Sequence, residues 1–253
     1  MHHIRSRALF LVAAIALLAG CAFGGPPPAT PAPSPTPIPP TPTPTPAQLS
    51  ALIGKATQAS PSVHFEIALS GVPVFADDTR LFAINTIAGD LKRPDGVLET
   101  LKIGNAGATS ELKMVSLAGK QYITNPITRA WQCLPAGAGF DPAVLFDPKQ
   151  GIEYLLQNAY QNVTLVGTED VAGVPSYHLR GTVAGPPLLA ISSGLLGVGT
   201  TKVDLWADTS TMRATQIVLV DSATDQASPT TWTLKFGEYE KAVDVREPPG
   251  VKC

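Results

Sequence analysis

Charged and aromatic residues are scarce in this sequence of 253 residues. Asp, Glu, Lys and Arg make up 15% of it and Phe, Trp and Tyr only 6%, whereas apolar residues make up 44%. The formal net charge is −2, which lacks the basic excess of a nucleic-acid-binding protein and excludes that class. So high an apolar content also excludes intrinsic disorder for the bulk of the chain.

Histidine and cysteine are too few for a metal site. The chain has four His and three Cys. Of the four His, only His64 and His178 lie beyond the first three residues, and they are 114 positions apart. A site built from His and Cys needs more ligands or closer spacing. We therefore expect no metal and no cofactor, and interpret both His as strand residues that face solvent.

The N-terminus has an apolar run that is too short to cross a membrane. Residues 8–18 are apolar, whereas a bilayer core requires about 20 residues. With Arg5 and Arg7 before it, this run predicts a signal peptide over residues 1–20. The following Leu18-Ala19-Gly20-Cys21 is similar to the bacterial lipobox, in which the Cys receives a diacylglyceryl anchor. The alternative is an ordinary secretory leader with an unrelated Cys.

Proline is concentrated in one segment. Of 25 Pro, 12 lie between Pro26 and Pro46, and a segment this rich in Pro forms neither a helix nor a central strand. We interpret residues 21–46 as the lipidated Cys21 followed by a Pro/Thr-rich tether in polyproline II conformation, with a reach on the order of 75 Å. An O-glycosylated stalk or a ligand for a Pro-binding domain are the alternatives.

Residues 47–253 are enough for one domain. Apolar residues have helical spacing in 47–59 and 151–160, and they alternate with polar residues in strands such as 63–69. Short turns between the predicted strands favour antiparallel neighbours, so the pattern predicts an α+β fold with one large antiparallel sheet. The remaining predicted strands are 81–91, 97–103, 111–117, 121–124, 163–168, 176–183, 202–207, 214–220 and 231–239, and 187–196 is a second apolar helix or an apolar loop.

The sequence has no recognisable catalytic motif. It lacks the G-x-S-x-G turn of hydrolases, and the Gly-rich stretch Gly194 to Gly199 lacks the Gly-Lys-Ser/Thr end of a phosphate-binding loop. The adjacent acids Asp77-Asp78 and Glu169-Asp170 are interpreted as solvated turn residues without partners. We therefore expect that the protein is not an enzyme and has no catalytic residues.

Two further features leave alternatives open. Cys133 and Cys253 form a disulfide or remain thiols; in an exported protein a bond closing about 120 residues would contribute up to ~5 kcal/mol. The excess of aliphatic residues predicts either a solidly packed core or a dry cavity suited to alkyl chains.

Several short segments together resemble one known family of proteins: 52–69, Thr86 to Leu91, Ala118 to Ile123, Trp131 with its flanking loop, Asp141 to Pro148 with Gly151-Ile152, Val203 to Ala207 and Leu234 to Tyr239. The family is that of the LppX/LprA/LprF/LprG bacterial lipid-binding lipoproteins, which is similar to periplasmic lipoprotein carriers of the LolA/LolB type. The resemblance extends over residues 47–250. Its individual motifs are short, and neither the length of the tether nor Cys133 and Cys253 belong to the family pattern.

This resemblance implies a sheet curled as a half-barrel over a few helices, enclosing an apolar cavity for acyl chains of envelope lipids or glycolipids. Together with the lipobox at Cys21, it leads us to expect a carrier anchored on the extracytoplasmic side of the cell membrane. We also expect a monomer, with an envelope transporter as a further candidate partner. The alternative is a tethered structural or interaction module with a solid core. The predicted lipid contacts are Phe65, Ile67, Ile87, Leu91, Leu101, Ile103, Leu112, Met114, Leu155, Leu156, Leu188, Leu189 and Ile191.

Overall fold

A computed structural model describes residues 43–76, 79–105, 107–135, 141–192, 194–197 and 199–253. These residues belong to one compact unit, Thr43–Cys253. Cys21, most of the predicted tether and the pair Asp77-Asp78 lie outside the described residues.

The first helix, α1 (Pro46–Gln58), begins at the last Pro of the Pro-rich segment. Thr45 is its N-cap and forms a capping box with Gln48, so two backbone N–H groups at the helix start have partners. Pro46 fits the first helical position because it has no N–H to satisfy there. The helix therefore starts one residue before the predicted domain boundary. Two shorter helices follow in the described residues, α2 (Ile152–Asn158) and α3 (Gly185–Ile191), with a 3₁₀ turn at Pro142–Phe146.

Eleven antiparallel strands form one sheet with the order β6-β5-β4-β3-β2-β1-β11-β10-β9-β8-β7. The first and last strands pair at its centre, and β6 and β7 are its two edges, so the sheet is open. The predicted α+β class and single antiparallel sheet are confirmed. The strands are β1 (Ser62–Ser70), β2 (Ala83–Lys92), β3 (Gly96–Asn105), β4 (Ala108–Leu117), β5 (Lys120–Thr124), β6 (Trp131–Leu134), β7 (Gln161–Val171), β8 (Val174–Val183), β9 (Thr201–Asp208), β10 (Ala214–Asp221) and β11 (Thr230–Gly237).

The strand register separates the sheet into two faces. Ile67 pairs with Ile87 on one side and with Leu234 on the other, and all three are buried. These residues face the helices, because they share one apolar cluster with Leu49 and Ile53 of α1. We call this the inner face and the opposite one the outer face.

The C-terminal tail covers part of the outer face. Val245 of the tail packs with Val115 and Tyr122 in a second, smaller apolar cluster. Cys253 is bonded to Cys133 of β6, with the two Sγ atoms 2.02 Å apart. The disulfide therefore connects the chain end to an edge strand of the sheet.

Two elements differ from the sequence-based expectation. Residues 131–134, which lie in none of the predicted strands, form β6, whose four residues pair with β5. The segment 187–196 is helical only as far as Ile191. The helix begins at Gly185, where Pro186 and Pro187 fit its first turn. Gly194, soon after its end, has a positive φ of 82°, which is typical of a residue that follows a helix.

Candidate functional site

The predicted lipid contacts come together on the inner face. All of them except Leu189 belong to one apolar cluster, and all of those are less than 10% exposed. Leu189, in α3, is partly exposed. Alternation along each strand and correct register brought these side chains to one side of the sheet, because a shift of one residue would have turned a whole strand outward.

Helices α1 and α2 pack closely together above this face. The Ser50 hydroxyl donates to the Leu156 carbonyl oxygen at 2.7 Å, and a Cβ at Gly54 would lie 2.7 Å from the Glu153 carbonyl oxygen. Gly54 is therefore required for the close approach of the two helices. Through this contact Leu155 and Leu156 of α2 are held over the sheet.

Arg93 joins the β2–β3 turn to α2 and its surroundings. Its guanidinium donates to the carbonyl oxygens of Ser60 and Phe146 at 3.0 and 3.1 Å, and to Glu153 Oε1 at 2.5 Å. Burial raises the pKa of Glu153, and the charge of Arg93 acts in the opposite direction. One arginine thus connects a turn, the 3₁₀ turn and a helix at one end of the inner face.

The inner face also holds a carboxyl group that the sequence analysis did not single out. Glu99 is only 2% exposed, and neither of its oxygens has a hydrogen-bond partner among the described residues. The sequence does indicate this position: Val97, Glu99 and Leu101 are alternate residues of β3, so their side chains point to the same face of the sheet. Burial, and secondarily the carboxylate of Asp141, raises the pKa of Glu99 to about 8.

A concave site of about 290 Å³ lies on the outer face rather than the inner one. Small and polar side chains line it, unlike the large aliphatic side chains of the inner face. The side chains around it that point outward are Glu66, Ala68, Thr86, Ala88, Thr100, Lys102, Thr233 and Lys235.

His178 does not face solvent as predicted. It is only 4% exposed, because Trp206 stacks on its ring with the centroids 4.2 Å apart. Its Nδ1 lies 2.7 Å from Glu169 Oε1 and its Nε2 2.6 Å from Asp204 Oδ1. Glu169 is accordingly a strand residue with partners, not a solvated turn residue, and hydrogen bonds from Trp206 and His178 lower its pKa.

The other His agrees better with the expectation. The side chain of His64 is 33% exposed, and its Nδ1 lies 2.8 Å from Asp90 Oδ1. In the described part of the chain, no group of three or more His, Cys, Asp or Glu side chains is arranged to hold a metal ion. Nor do the described residues include a helix that is both long and apolar enough to span a bilayer.

The open antiparallel sheet, with helices packed on its apolar inner face, places the protein in the α+β class. Comparison with known proteins specifies the family: the model of the LppX_LprAFG lipoprotein family matches residues 45–245. The chain therefore belongs to this family of lipoproteins, and the resemblance inferred from its sequence segments is confirmed. No curated protein matches the chain significantly.

Solved structures show the same fold. The crystal structure of LprF from Mycobacterium bovis has a TM-score of 0.65 at 17% identity, covering 81% of this chain and 97% of that one. The lipoprotein LppX from Mycobacterium tuberculosis has a TM-score of 0.57 at 13% identity, covering 79% and 98%.

Proposed function

We propose that this lipoprotein binds the acyl chains of an envelope lipid or glycolipid between the inner face and the helices, and carries the lipid across the cell envelope without chemical change. The observation that carries the proposal is the continuous apolar inner face, which extends from Leu112 in β4 to Leu179 in β8. Membership in a lipoprotein family supports it.

The benefit of such a site follows from the hydrophobic effect. Two acyl chains carry roughly 30 methylene groups, and exposing each to water costs ~0.8 kcal/mol, or on the order of 24 kcal/mol in total. An apolar site removes most of that cost, so a carrier needs no catalytic group.

Helix α3 is the element that we expect to move when lipid enters. Residues 181–201, which contain it, include no charged residue, and α3 itself has only seven residues. Leu188 and Ile191 fill the inner face beneath it. Acyl chains that displaced these two side chains would exchange one apolar contact for another at little cost.

The anchor belongs to the same proposal. A diacylglyceryl group on Cys21 would hold the protein on the extracytoplasmic side of the cell membrane, because two chains anchor stably. The tether ahead of α1 would let a monomeric domain reach away from that membrane, toward a second membrane or an envelope transporter.

One observation favours the other candidate, a tethered interaction module. The predicted contacts on the inner face are nearly fully buried and in contact with one another, as in a solid core. In that case the apolar inner face has a purely structural role.

Native mass spectrometry separates the two candidates. The full chain with Cys21→Ser, exported by a bacterium that makes diacyl lipids, is expected to carry lipid adducts. Leu189→Trp in α3 should reduce the lipid-bound fraction at least threefold, whereas Ile127→Trp, at a position that is 88% exposed, should leave it unchanged. Detection of bare protein alone in all three samples would overturn the carrier proposal.

A further inference from the structure

Glu99 lies at one end of the inner face. In the strand register it pairs with Gly89 of β2 and Met114 of β4, and Gly89 in turn pairs with Phe65 of β1. The ring of Phe65 contacts that of Phe146 in the 3₁₀ turn, with centroids 5.0 Å apart. The carboxyl group therefore belongs to the row of residues beneath the 3₁₀ turn, next to the last apolar row at this end of the inner face, which consists of Val63, Leu91 and Val97.

Nothing in the described structure satisfies this carboxyl group. Arg93, whose guanidinium also contacts the 3₁₀ turn, is engaged by Glu153 and by two carbonyl oxygens. Asp141 accepts hydrogen bonds from the Ser116 hydroxyl at 2.8 Å and from the Ala143 N–H at 2.9 Å. Because a carboxylate only accepts hydrogen bonds, Asp141 has no hydrogen to donate to Glu99. An unpartnered buried polar group costs roughly 1–3 kcal/mol, and each such group in a native structure calls for an explanation. A bound ligand that supplies the hydrogen-bond partner is one.

The chemistry of the missing partner follows from the charge of the site. Full burial beside a second carboxylate favours the neutral, protonated form of Glu99. A neutral carboxyl group has one O–H to donate and one carbonyl oxygen to accept. Phosphate only accepts hydrogen bonds and would be repelled by Asp141, whereas a hydroxyl group can both donate and accept.

Resting on the carrier function proposed above, we propose that Glu99 is the polar anchor of the lipid site and selects a neutral lipid with a free hydroxyl group, such as a diacylglycerol-type glyceride. The hydroxyl lies beneath the 3₁₀ turn and hydrogen-bonds to Glu99. The acyl chains run from there along the inner face toward α3.

Three matched probes test this assignment: 1,2-dioleoylglycerol, its 3-O-methyl ether, which keeps an oxygen but cannot donate, and 1,2-dioleoyloxy-3-aminopropane. Binding is measured on the delipidated full chain with Cys21→Ser. We expect the alcohol to bind about tenfold more tightly than the ether, which corresponds to one buried hydrogen bond. Equal binding of the two, or tightest binding of the amine, would overturn the hydroxyl assignment.

Two substitutions assign the selectivity to Glu99. Glu99→Gln keeps a donor and an acceptor and should keep most of the preference for the alcohol. Glu99→Met has similar size without them and should bring the ratio close to one. An unchanged ratio in Glu99→Met would overturn the role of Glu99 while leaving the carrier function intact, whereas failure of the unsubstituted chain to bind any probe would overturn both. The comparison of the three probes on the unsubstituted chain holds even if a variant fails to fold.

Discussion

Arg93 Nη2 lies 2.5 Å from Glu153 Oε1, and the side chains of the two residues are only 14% and 1% exposed. They are 60 positions apart in the chain, so the pair connects the β2–β3 turn to α2. Because α2 supplies Leu155 and Leu156 to the cover of the inner face, this pair holds one side of that cover in place.

Arg93→Met should destabilise the fold by ~3 kcal/mol. The substitution leaves a buried carboxyl group without its counter-charge, which is far more costly than the loss of an exposed ion pair. Urea unfolding monitored by circular dichroism measures the change. Arg246→Met is the matched control, because Arg246 is 80% exposed beside Asp244 and should change stability by less than ~0.5 kcal/mol. Equal effects of the two substitutions would contradict the assignment.

Glu99 should make the protein less stable as pH rises. The pKa of this carboxyl group is about 8 in the fold and 4.5 in the unfolded chain. Between these values the folded state binds more protons than the unfolded state, so the free energy of unfolding falls with pH. At ~1.4 kcal/mol per pH unit the total loss is on the order of 5 kcal/mol.

Urea unfolding at pH 5, 6.5 and 8 measures this loss. In Glu99→Gln, which does not ionise, stability should vary much less over the same range, and at pH 8 the variant should be more stable than the unsubstituted chain. Parallel pH profiles for the two proteins would show that Glu99 is ionised throughout.

The disulfide should contribute more to the stability of the fold than the shortness of the C-terminal tail that it holds would indicate. Cys133 and Cys253 are 120 positions apart, and in the chain-entropy model a closed loop of that length contributes up to ~5 kcal/mol. Cys133→Ser with Cys253→Ser should therefore lower the denaturant midpoint to that of the reduced unsubstituted chain. If reduction leaves the midpoint unchanged, the bond does not form in solution.

Local patterns predicted most of the sheet but not its long-range contacts. Alternation of apolar residues located β1 and gave its inward residues Phe65 and Ile67 correctly. It could not locate β6, because four residues held in place by pairing with β5 have no pattern of their own. His178 was misplaced for a similar reason, since Glu169 and Asp204, which bury it, come from neighbouring strands.

The cluster of His178, Glu169, Asp204 and Trp206 should stabilise the pairing of the edge strand β7 with the rest of the sheet. The imidazole ring of His178 in β8 lies within hydrogen-bond distance of Glu169 through Nδ1 and of Asp204 through Nε2, so one side chain contacts both neighbouring strands. His178→Ala removes the side chain that joins Glu169 on β7 to Asp204 on β9 and leaves both carboxyl groups without these hydrogen bonds. We expect a loss of ~2 kcal/mol in stability and faster amide hydrogen exchange in β7 and β8 than in β1. His64→Ala, which removes a more exposed ring beside Asp90, should have a smaller effect on stability and none on exchange in β7; equal exchange in the two variants would show that the cluster does not hold the edge.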